Sequence, residues 1–297
     1  MESPKLMLAP LSEITNLSFR IIAKELGADL TFVPLISSYA VVYGNQKTMS
    51  LIFEGKKEPG LKAIQIFGND KEIIKKAVRF IDRLGIYDMI DLNAGCPSGK
   101  IVNSQSGSAL LKDLRLLRTL IRTIRENTKL KVSVKVRLGF YENNIEEIVK
   151  VVEPFVDMII IHGRTVKQSF SGRNDWESIF KVKESINKPV IGNGNINSRK
   201  DYLLVKDKVD GVMIGRAALR NPGIFSEIKF NKAVSKSRVL RRIVELEQDF
   251  FVLKKLSLFL MSGLKGSKDL KRKITLIKSM DALRNYLTFL ANEINPE

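Results

Sequence analysis

The stretch Met158-Ile159-Ile160-Ile161-His162-Gly163-Arg164-Thr165 sets the pattern of the whole chain. Four apolar residues, three of them β-branched, are followed at once by polar residues and a glycine. A short, nearly continuous apolar run is typical of a strand that is buried on both faces of a parallel sheet. The only histidine of the chain stands where this run ends. The stretch therefore predicts a strand over Met158–His162 with polar groups at its carboxyl end.

Seven further apolar runs share this character and alternate with longer segments of helical period. They predict strands over Leu6–Ala9, Leu30–Pro34, Ala63–Ile66, Met89–Asn93, Val132–Val136, Val190–Asn193 and Gly211–Ile214. The helical segments between them include Asp70–Leu84, Asp113–Glu126, Asn144–Val152 and Ser198–Lys206. Eight buried strands, each followed by a helix, predict an α/β fold, the (β/α)8 TIM barrel. A doubly wound open sheet is the alternative, but its glycine-rich fingerprint is missing after the first strand.

The alternation of strand-like and helical segments ends near Phe230, and no strand-like run follows. Two long amphipathic segments follow, Arg238–Leu260 and Lys268–Leu290, and Gly263-Leu264-Lys265-Gly266 separates them. We therefore predict two domains, a catalytic barrel over residues 1–228 and a small all-helical domain over residues 229–297.

The chain is strongly basic, with 50 Lys and Arg against 32 Asp and Glu and a net charge of +18. Residues 229–297 carry fifteen of these cations against seven acidic residues. Such an excess attracts polyanions, which favours nucleic acid or an anionic membrane surface as a partner.

No apolar stretch approaches the ~18 residues of a membrane span, and the first residues lack the basic head of a signal peptide. With a single cysteine, which suits a reducing compartment, the sequence predicts a cytoplasmic protein without a membrane segment.

Candidate site residues, most of them polar residues or glycines, recur at the carboxyl ends of the predicted strands, where a TIM barrel builds its active site. In chain order they are Pro10, Leu11 and Ser12, Gln65, Asn93 and Cys96, Lys135 and Arg137, His162 and Arg164, Asn193, Gly194 and Asn195, and Gly215 and Arg216. A lone cysteine or histidine is more often an inert core residue. Polar side chains are costly to bury without partners, so their repetition at one end indicates a ligand site.

The loops after the last two strands add a more specific signal. Gly194 and Gly215 lack side chains where backbone N–H groups could reach an anion, and Arg216 would add a charged contact. These two loops are the usual phosphate-binding place of the barrel fold.

A series of motifs, at the strand ends and between them, runs along residues 6–228. They are Ala9-Pro10-Leu11, Phe19-Arg20, Gln65-Ile66-Phe67-Gly68, Asp91-Leu92-Asn93-Ala94-Gly95-Cys96-Pro97, Gly107-Ser108-Ala109-Leu110-Leu111, Val134-Lys135-Val136-Arg137-Leu138-Gly139, His162-Gly163-Arg164-Thr165, Asn193-Gly194 and Met213-Ile214-Gly215-Arg216-Ala217. Together they resemble the tRNA-dihydrouridine synthases of bacterial type, and the basic helical tail resembles the second domain of that family. Leu11, Asn195 and Val166 depart from the residues more common there, which are Met, Asp and Arg.

The resemblance implies an FMN-dependent enzyme that uses NADPH to reduce the 5,6 double bond of a specific tRNA uridine to dihydrouridine. It implies tRNA as substrate, no metal and no obligate protein partner. The expected cofactor contacts are Pro10, Leu11, Ser12, Gln65 and Lys135 at the flavin ring, and Asn193, Gly194, Asn195, Gly215 and Arg216, with His162 nearby, at the ribityl phosphate. Asn93, Arg137 and Arg164 are the expected substrate contacts, and Cys96 is the expected catalytic proton donor.

The chemistry agrees with these roles. Reduction of uracil needs a hydride at C6 and a proton at C5, and a thiol is mostly protonated at neutral pH and can donate. Lys135 would stabilise negative charge on the flavin and orient the base. Two alternatives remain: an FMN barrel that acts on a free pyrimidine, like dihydroorotate dehydrogenase, and a non-catalytic tRNA-binding protein on the same scaffold.

Overall fold

Eight parallel strands curve into a barrel in a computed structural model that describes residues 5–169 and 171–294. The strands are β1 (Leu6–Leu8), β2 (Thr31–Ser37), β3 (Lys62–Phe67), β4 (Met89–Ala94), β5 (Lys131–Arg137), β6 (Met158–His162), β7 (Val190–Asn193) and β8 (Gly211–Ile214). They pair in the order β1-β8-β7-β6-β5-β4-β3-β2. A parallel bridge between Met7 and Leu30 joins the first two strands, so the barrel is nearly closed. The eight predicted strands are confirmed, with small shifts of their bounds.

Helices cover the outside of the barrel and form the tail. They are α1 (Leu17–Glu25), α2 (Ser38–Val42), α3 (Gln46–Glu54), α4 (Lys71–Leu84), α5 (Gly99–Asn103), α6 (Leu114–Glu126), α7 (Ile145–Val152), α8 (Trp176–Ser185), α9 (Arg199–Leu203), α10 (Arg216–Arg220), α11 (Ile224–Phe230), α12 (Lys236–Leu246), α13 (Phe250–Leu260), α14 (Ser267–Leu276) and α15 (Met280–Glu293). Short 3-10 helices lie at Gly55–Lys57, Gly107–Lys112 and Glu153–Phe155. The predicted (β/α)8 barrel followed by a helical tail is confirmed.

Local signals explain where these helices begin and end. The Asp70 side chain accepts a hydrogen bond from the N–H of Ile73 at the start of α4, and Gly85 ends that helix in the left-handed conformation with φ 61°. The predicted helix over Ser198–Lys206 is shorter than expected, because the N–H groups of Val205 and Lys206 both bond to the carbonyl of Tyr202 and the chain turns there.

The barrel interior is filled from its amino-terminal end by apolar side chains. This inner layer consists of Met7, Ala9, Leu30, Phe32, Ala63, Met89, Met158, Ile160, Ile191 and Met213. A second apolar layer lies between the strands and the surrounding helices and continues into the tail. Each large apolar side chain contributes roughly 1.5–3 kcal/mol on burial. This layer makes the amino-terminal part of the barrel interior apolar.

Each of the two long tail segments is split into two helices, which differs from their uniform amphipathic pattern. Asp249 accepts from the N–H of Val252 and Ser279 accepts from the N–H of Ala282, so each starts a new helix within its segment. Lys254 donates to the carbonyls of Thr275 and Ile277 at 2.7 and 2.6 Å, and so supplies hydrogen bonds to carbonyl groups at the carboxyl end of α14. The predicted break at residues 263–266 lies between α13 and α14.

The tail packs on the first and last helices of the barrel. Helix α12 contacts α1, and α13 contacts α10. Arg242 forms an ion pair with Glu25 at 2.6 Å, and Asn16 at the start of α1 donates to Glu247. The predicted boundary between residues 228 and 229 falls inside α11, and residues 1–4 and 295–297 lie outside the described residues. The division into two domains stays a prediction.

Candidate functional site

A cavity of about 670 Å³, here called the mouth cavity, opens at the carboxyl ends of the strands. It is lined by most of the predicted site residues: Pro10, Leu11, Ser12, Asn93, Cys96, Lys135, Arg137, His162, Asn193, Gly194, Asn195, Gly215 and Arg216. The structure brings these residues together from the ends of several strands. Gln65 and Arg164 are the two predicted residues outside this lining. Gln65 is fully buried one layer deeper, and Arg164 is buried against His162.

A chain of buried hydrogen bonds underlies the mouth cavity. Gln65 Nε2 donates to Asp91 Oδ2 at 2.7 Å, and Asn93 Nδ2 donates to Gln65 Oε1 at 2.8 Å. Asn93 Oδ1 accepts from the backbone N–H groups of Gly95 at 3.2 Å and Cys96 at 2.9 Å. The other oxygen of Asp91 accepts from Ser133 Oγ at 2.6 Å. The loop that carries the single cysteine is thus tied to a buried carboxylate through two side-chain amides.

Asp91 was not predicted as a site residue, although a carboxylate inside an apolar strand is itself a signal. Asp91 has no exposed surface. Burial raises its pKa to about 6, against the lowering effects of the bonds from Ser133 and Gln65 and of the positive charge of Lys135. Burial lowers the pKa of Lys135 to about 8, with a further lowering by Arg137 and an opposing effect of Asp91. At neutral pH Lys135 is therefore still mostly a cation, at the cavity wall.

Cys96 lies at the edge of the mouth cavity and is partly exposed. The Ser108 N–H donates to its carbonyl at 3.2 Å, which connects it to the 3-10 helix at Gly107–Lys112. A side chain at Gly95 would meet the Lys135 carbonyl at 3.3 Å, so glycine allows the loop to pass close to β5. The thiol is therefore accessible from the cavity while its backbone is held on both sides.

Arg137 connects the cysteine loop to the loop after β6. Its side chain is almost completely buried. Nε donates to the carbonyl of Gly95 at 3.0 Å, and Nη1 donates to the carbonyls of Thr165 at 2.9 Å and Ser169 at 2.8 Å. The structure thus gives Arg137 a scaffolding role that its position at a strand end did not reveal.

His162 and Arg164 form a second buried pair beside the cavity. Arg164 Nη1 lies 3.4 Å from His162 Nε2, and other guanidinium N–H groups donate to the carbonyls of Ser171 and Gly172 and to Asn195 Oδ1. Burial, followed by the charges of Lys135 and three arginines, holds the pKa of His162 well below its usual range. His162 is therefore neutral at pH 7 and acts as a polar group without charge.

The loops after β7 and β8 differ in how open their glycines are. A side chain at Gly215 would meet only the Ala9 Cβ, at 3.5 Å, so its backbone faces open space at the cavity. Gly194, with φ +125°, packs instead against the Asn174 carboxamide. That carboxamide is buried, and neither of its polar atoms has a hydrogen-bond partner within residues 5–169 and 171–294. Asn193 Nδ2 donates to the Met213 carbonyl at 2.7 Å and joins the two strands.

Positive charge dominates the lining of the mouth cavity. Its cations are Lys100, Lys135, Arg137, Arg216 and Arg220, and its one carboxylate among the described lining residues is Glu13. Lys100 and Arg220 lie on α5 and α10, and they were missed because strand ends alone do not reveal them. A cavity of this composition suits an anionic ligand.

Two features are absent from the described part of the chain. No group of three or more His, Cys, Asp or Glu side chains there is placed to hold a metal ion. None of the helices formed by residues 5–169 and 171–294 has the length and apolar character that crossing a membrane requires.

A basic cluster of the tail, here called the tail cluster, consists of Lys265, Lys268, Lys271, Arg272 and Lys273. All of them except Lys271 are exposed. Lys271 donates to Ser262 Oγ at 2.8 Å. The cluster is therefore mostly available to an external anion, whereas Lys271 also holds the turn after α13.

Comparisons with known proteins agree with this geometry. Residues 7–292 match the family model described as dihydrouridine synthase (Dus). A relative from Helicobacter pylori named "Probable tRNA-dihydrouridine synthase" is 43% identical over 231 residues, which cover 76% of this chain and 70% of the relative. A relative of the same name from Aquifex aeolicus is 32% identical over 300 residues, which cover 98% and 92%.

A solved structure supports the fold. A variant of NCR from Zymomonas mobilis matches with a TM-score of 0.55 and 13% identity over 77% of this chain and 88% of that chain. At this identity the likeness concerns the fold alone.

Proposed function

The chain belongs to the dihydrouridine synthase family, a family of flavin-dependent, tRNA-modifying oxidoreductases, and we propose that it reduces a tRNA uridine with FMN as cofactor and NADPH as reductant. The reaction saturates the 5,6 double bond of the base. The observation that carries the proposal is the position of Cys96, an accessible thiol at the edge of a cationic cavity at the carboxyl end of the barrel. Cys96 supplies the proton for C5 of the base.

The residues around the mouth cavity fit FMN. The open backbone at Gly215, followed by the start of α10 and by Arg216, suits the dianionic phosphate, and Asn193, Gly194 and Asn195 complete this end. The buried carboxamide of Asn174, which has no hydrogen-bond partner among the described residues, packs on Gly194 and is a further polar group close to that loop. Pro10, Leu11 and Ser12, in the loop after β1, would border the flavin ring, and His162 would offer a neutral polar contact.

FMN, when bound, supplies the hydride that the base receives. Lys135 stabilises negative charge at the cavity wall and donates a hydrogen bond to the base. Asn93 contacts the base from the neighbouring strand, since Asn93 and Lys135 are paired in register. Arg137 holds the cysteine loop against β5 and lies at the cavity wall as a substrate contact, and Arg164 supports His162 and Asn195.

The tRNA is bound through its phosphates over a basic surface. The target uridine must leave its stack to enter the cavity, at a cost of roughly a few kcal/mol, and phosphate contacts offset that cost. We propose that residues 229–297 act as the tRNA-binding domain, because they carry a large excess of Lys and Arg and because α12 and α13 pack on α1 and α10 of the barrel. No metal and no obligate protein partner enters this proposal.

The two alternatives are less well supported. A dehydrogenase for a free pyrimidine needs neither the basic tail nor the net charge of +18. A non-catalytic tRNA-binding protein needs neither an accessible thiol nor a half-buried lysine at the cavity wall. The family match over nearly the whole chain also favours the tRNA-modifying enzyme over both.

One experiment tests the proposal. The purified protein is reduced with NADPH without oxygen, mixed with tRNA that lacks dihydrouridine, and followed by the flavin spectrum and by mass spectrometry of tRNA nucleosides. We expect a bound flavin, reoxidation by tRNA and formation of dihydrouridine, with no reoxidation by orotate. A colourless protein with no flavin after reconstitution, or reoxidation by orotate alone, contradicts the proposal.

A further inference from the structure

The hydrogen-bond chain beneath the mouth cavity has a fixed direction. An ionised carboxylate only accepts hydrogen bonds, so Asp91 requires the amide nitrogen of Gln65 to face it. The carbonyl oxygen of Gln65 then faces Asn93, which has to present its own nitrogen. Each amide is thereby oriented by the residue below it, and the series begins at a side chain with no exposed surface.

The hydrogen bonds at the Asn93 end of this hydrogen-bond chain agree with this direction. The backbone N–H groups of Gly95 and Cys96 only donate, and both point at Asn93 Oδ1. The oxygen of Asn93 is thus occupied by the loop. Its nitrogen carries two hydrogens, and Gln65 takes one of them. Because Asn93 lines the mouth cavity, the hydrogen that remains is the polar group that it offers to a ligand.

We propose that Asp91, acting through Gln65, is a specificity-determining positioning residue that makes Asn93 a hydrogen-bond donor to the reacting base. Lys135, the register partner of Asn93, also only donates. Two neighbouring donors match the two carbonyl oxygens of uracil. In cytosine an amino group replaces one of these carbonyls. The amino group is itself a donor, so at that position two donors would face each other and no hydrogen bond would form. This inference rests on the proposed function, since it takes a pyrimidine as the occupant of the site.

Exchanging the side chains at positions 91 and 93 reverses the direction of the hydrogen-bond chain while the side chains keep nearly the same size. In Asn93→Asp the Gln65 amide lies between two carboxylates and cannot satisfy both. In the double variant Asp91→Asn, Asn93→Asp, the side-chain nitrogen introduced at position 91 donates to Gln65 Oε1, and Gln65 Nε2 donates to the carboxylate introduced at position 93. Every polar group is again paired, but the cavity now receives an acceptor instead of a donor.

The midpoints of thermal unfolding of these variants test the direction of the hydrogen-bond chain without any substrate. We expect Asn93→Asp to melt below the wild type, and the double variant to recover most of the loss. The control is Asp91→Leu, Asn93→Asp, which also removes the repulsion between two carboxylates but gives Gln65 Oε1 no donor, so it should recover less. Equal midpoints for the double variant and this control would overturn the proposal.

Activity tests the consequence for the base. We expect the well-folded double variant to reduce tRNA uridine roughly 10- to 100-fold more slowly than the wild type, as one mismatched buried hydrogen bond implies. The tRNA step is measured alone, with flavin that is fully reduced beforehand, so that a change in the NADPH step does not enter the comparison. Ser133→Ala, which removes only the second bond to Asp91, should keep tRNA reduction within a few-fold. Wild-type uridine reduction by the double variant would overturn the proposal. A wild type that reduces no tRNA, with the midpoints as expected, would count against the proposed function instead.

Discussion

Arg137 donates from Nε to the carbonyl oxygen of Gly95 at 3.0 Å, and so fixes the residue directly before Cys96 to strand β5. The same guanidinium group reaches two carbonyls of the loop after β6. Two loops of the candidate active site therefore depend on one buried side chain, which bears on both the stability and the chemistry of the protein.

Arg137→Met should destabilise the protein and slow the tRNA step. The substitution leaves three carbonyl groups without their donor, so we expect the free energy of unfolding to fall by about 3 kcal/mol or more. Urea unfolding measures this loss. The matched control is Arg122→Met, which removes an exposed pair with Glu126 at 3.8 Å and should cost about 0.5 kcal/mol or less. Equal stability of the two variants would contradict the scaffolding role.

Arg216→Ala and Gly215→Val should weaken FMN binding while the fold is kept. The first removes a cation and the second fills open space where backbone N–H groups approach the phosphate. Flavin released on dilution, measured by fluorescence, gives the affinity. Gly194→Val is less suitable, because φ +125° and contact with Asn174 make that position intolerant of any side chain. Wild-type retention of flavin by both variants would place the phosphate elsewhere.

The buried Asp91 should make stability depend on pH in the acidic range. Its pKa is about 6 in the folded protein and near 3.8 in the unfolded chain, so between these values the folded state binds the extra proton. The stability that this proton contributes is therefore present below about pH 4, and it is lost, by up to about 3 kcal/mol, as the pH rises through about 6. Urea unfolding of the wild type minus that of Asp91→Asn isolates this effect, and a flat difference would contradict it.

The exposed part of the tail cluster should bind phosphates. We expect Lys268→Gln, Arg272→Gln, Lys273→Gln to raise the KM for tRNA and to flatten the salt dependence of binding by about 0.7–0.9 in slope for each phosphate that is no longer bound. Lys271 is left intact because it bonds to Ser262. NADPH oxidation should not change. An unaltered salt slope would mean that the tail packs against the barrel without holding the tRNA.

The strands and the position of the site could be predicted because both follow from local pattern. Runs such as Met158–His162 are short, apolar and ended by polar residues, and parallel topology brings all their carboxyl ends together. This is why Asn93, Lys135 and Arg216 were found from sequence and do line one cavity.

The partners of long side chains could not be predicted, since they depend on which way each side chain turns in space. Gln65 lies at the expected strand but points to Asp91 and Asn93, and Arg137 uses its donors on backbone carbonyls far along the chain. The split of the tail helices was also missed, because Asp249 and Ser279 are single capping signals inside otherwise continuous amphipathic patterns.

The central claim is that Cys96 delivers a proton to the base during reduction by the bound flavin, and Cys96→Ala tests it most directly. The two half-reactions are measured separately by stopped-flow spectroscopy without oxygen, first with NADPH and then with tRNA that lacks dihydrouridine. We predict normal flavin content and normal reduction by NADPH, with reoxidation by tRNA slowed about 10²- to 10⁴-fold, the usual effect of losing a general acid. Reoxidation by tRNA at the wild-type rate would contradict this role and assign the proton to another group.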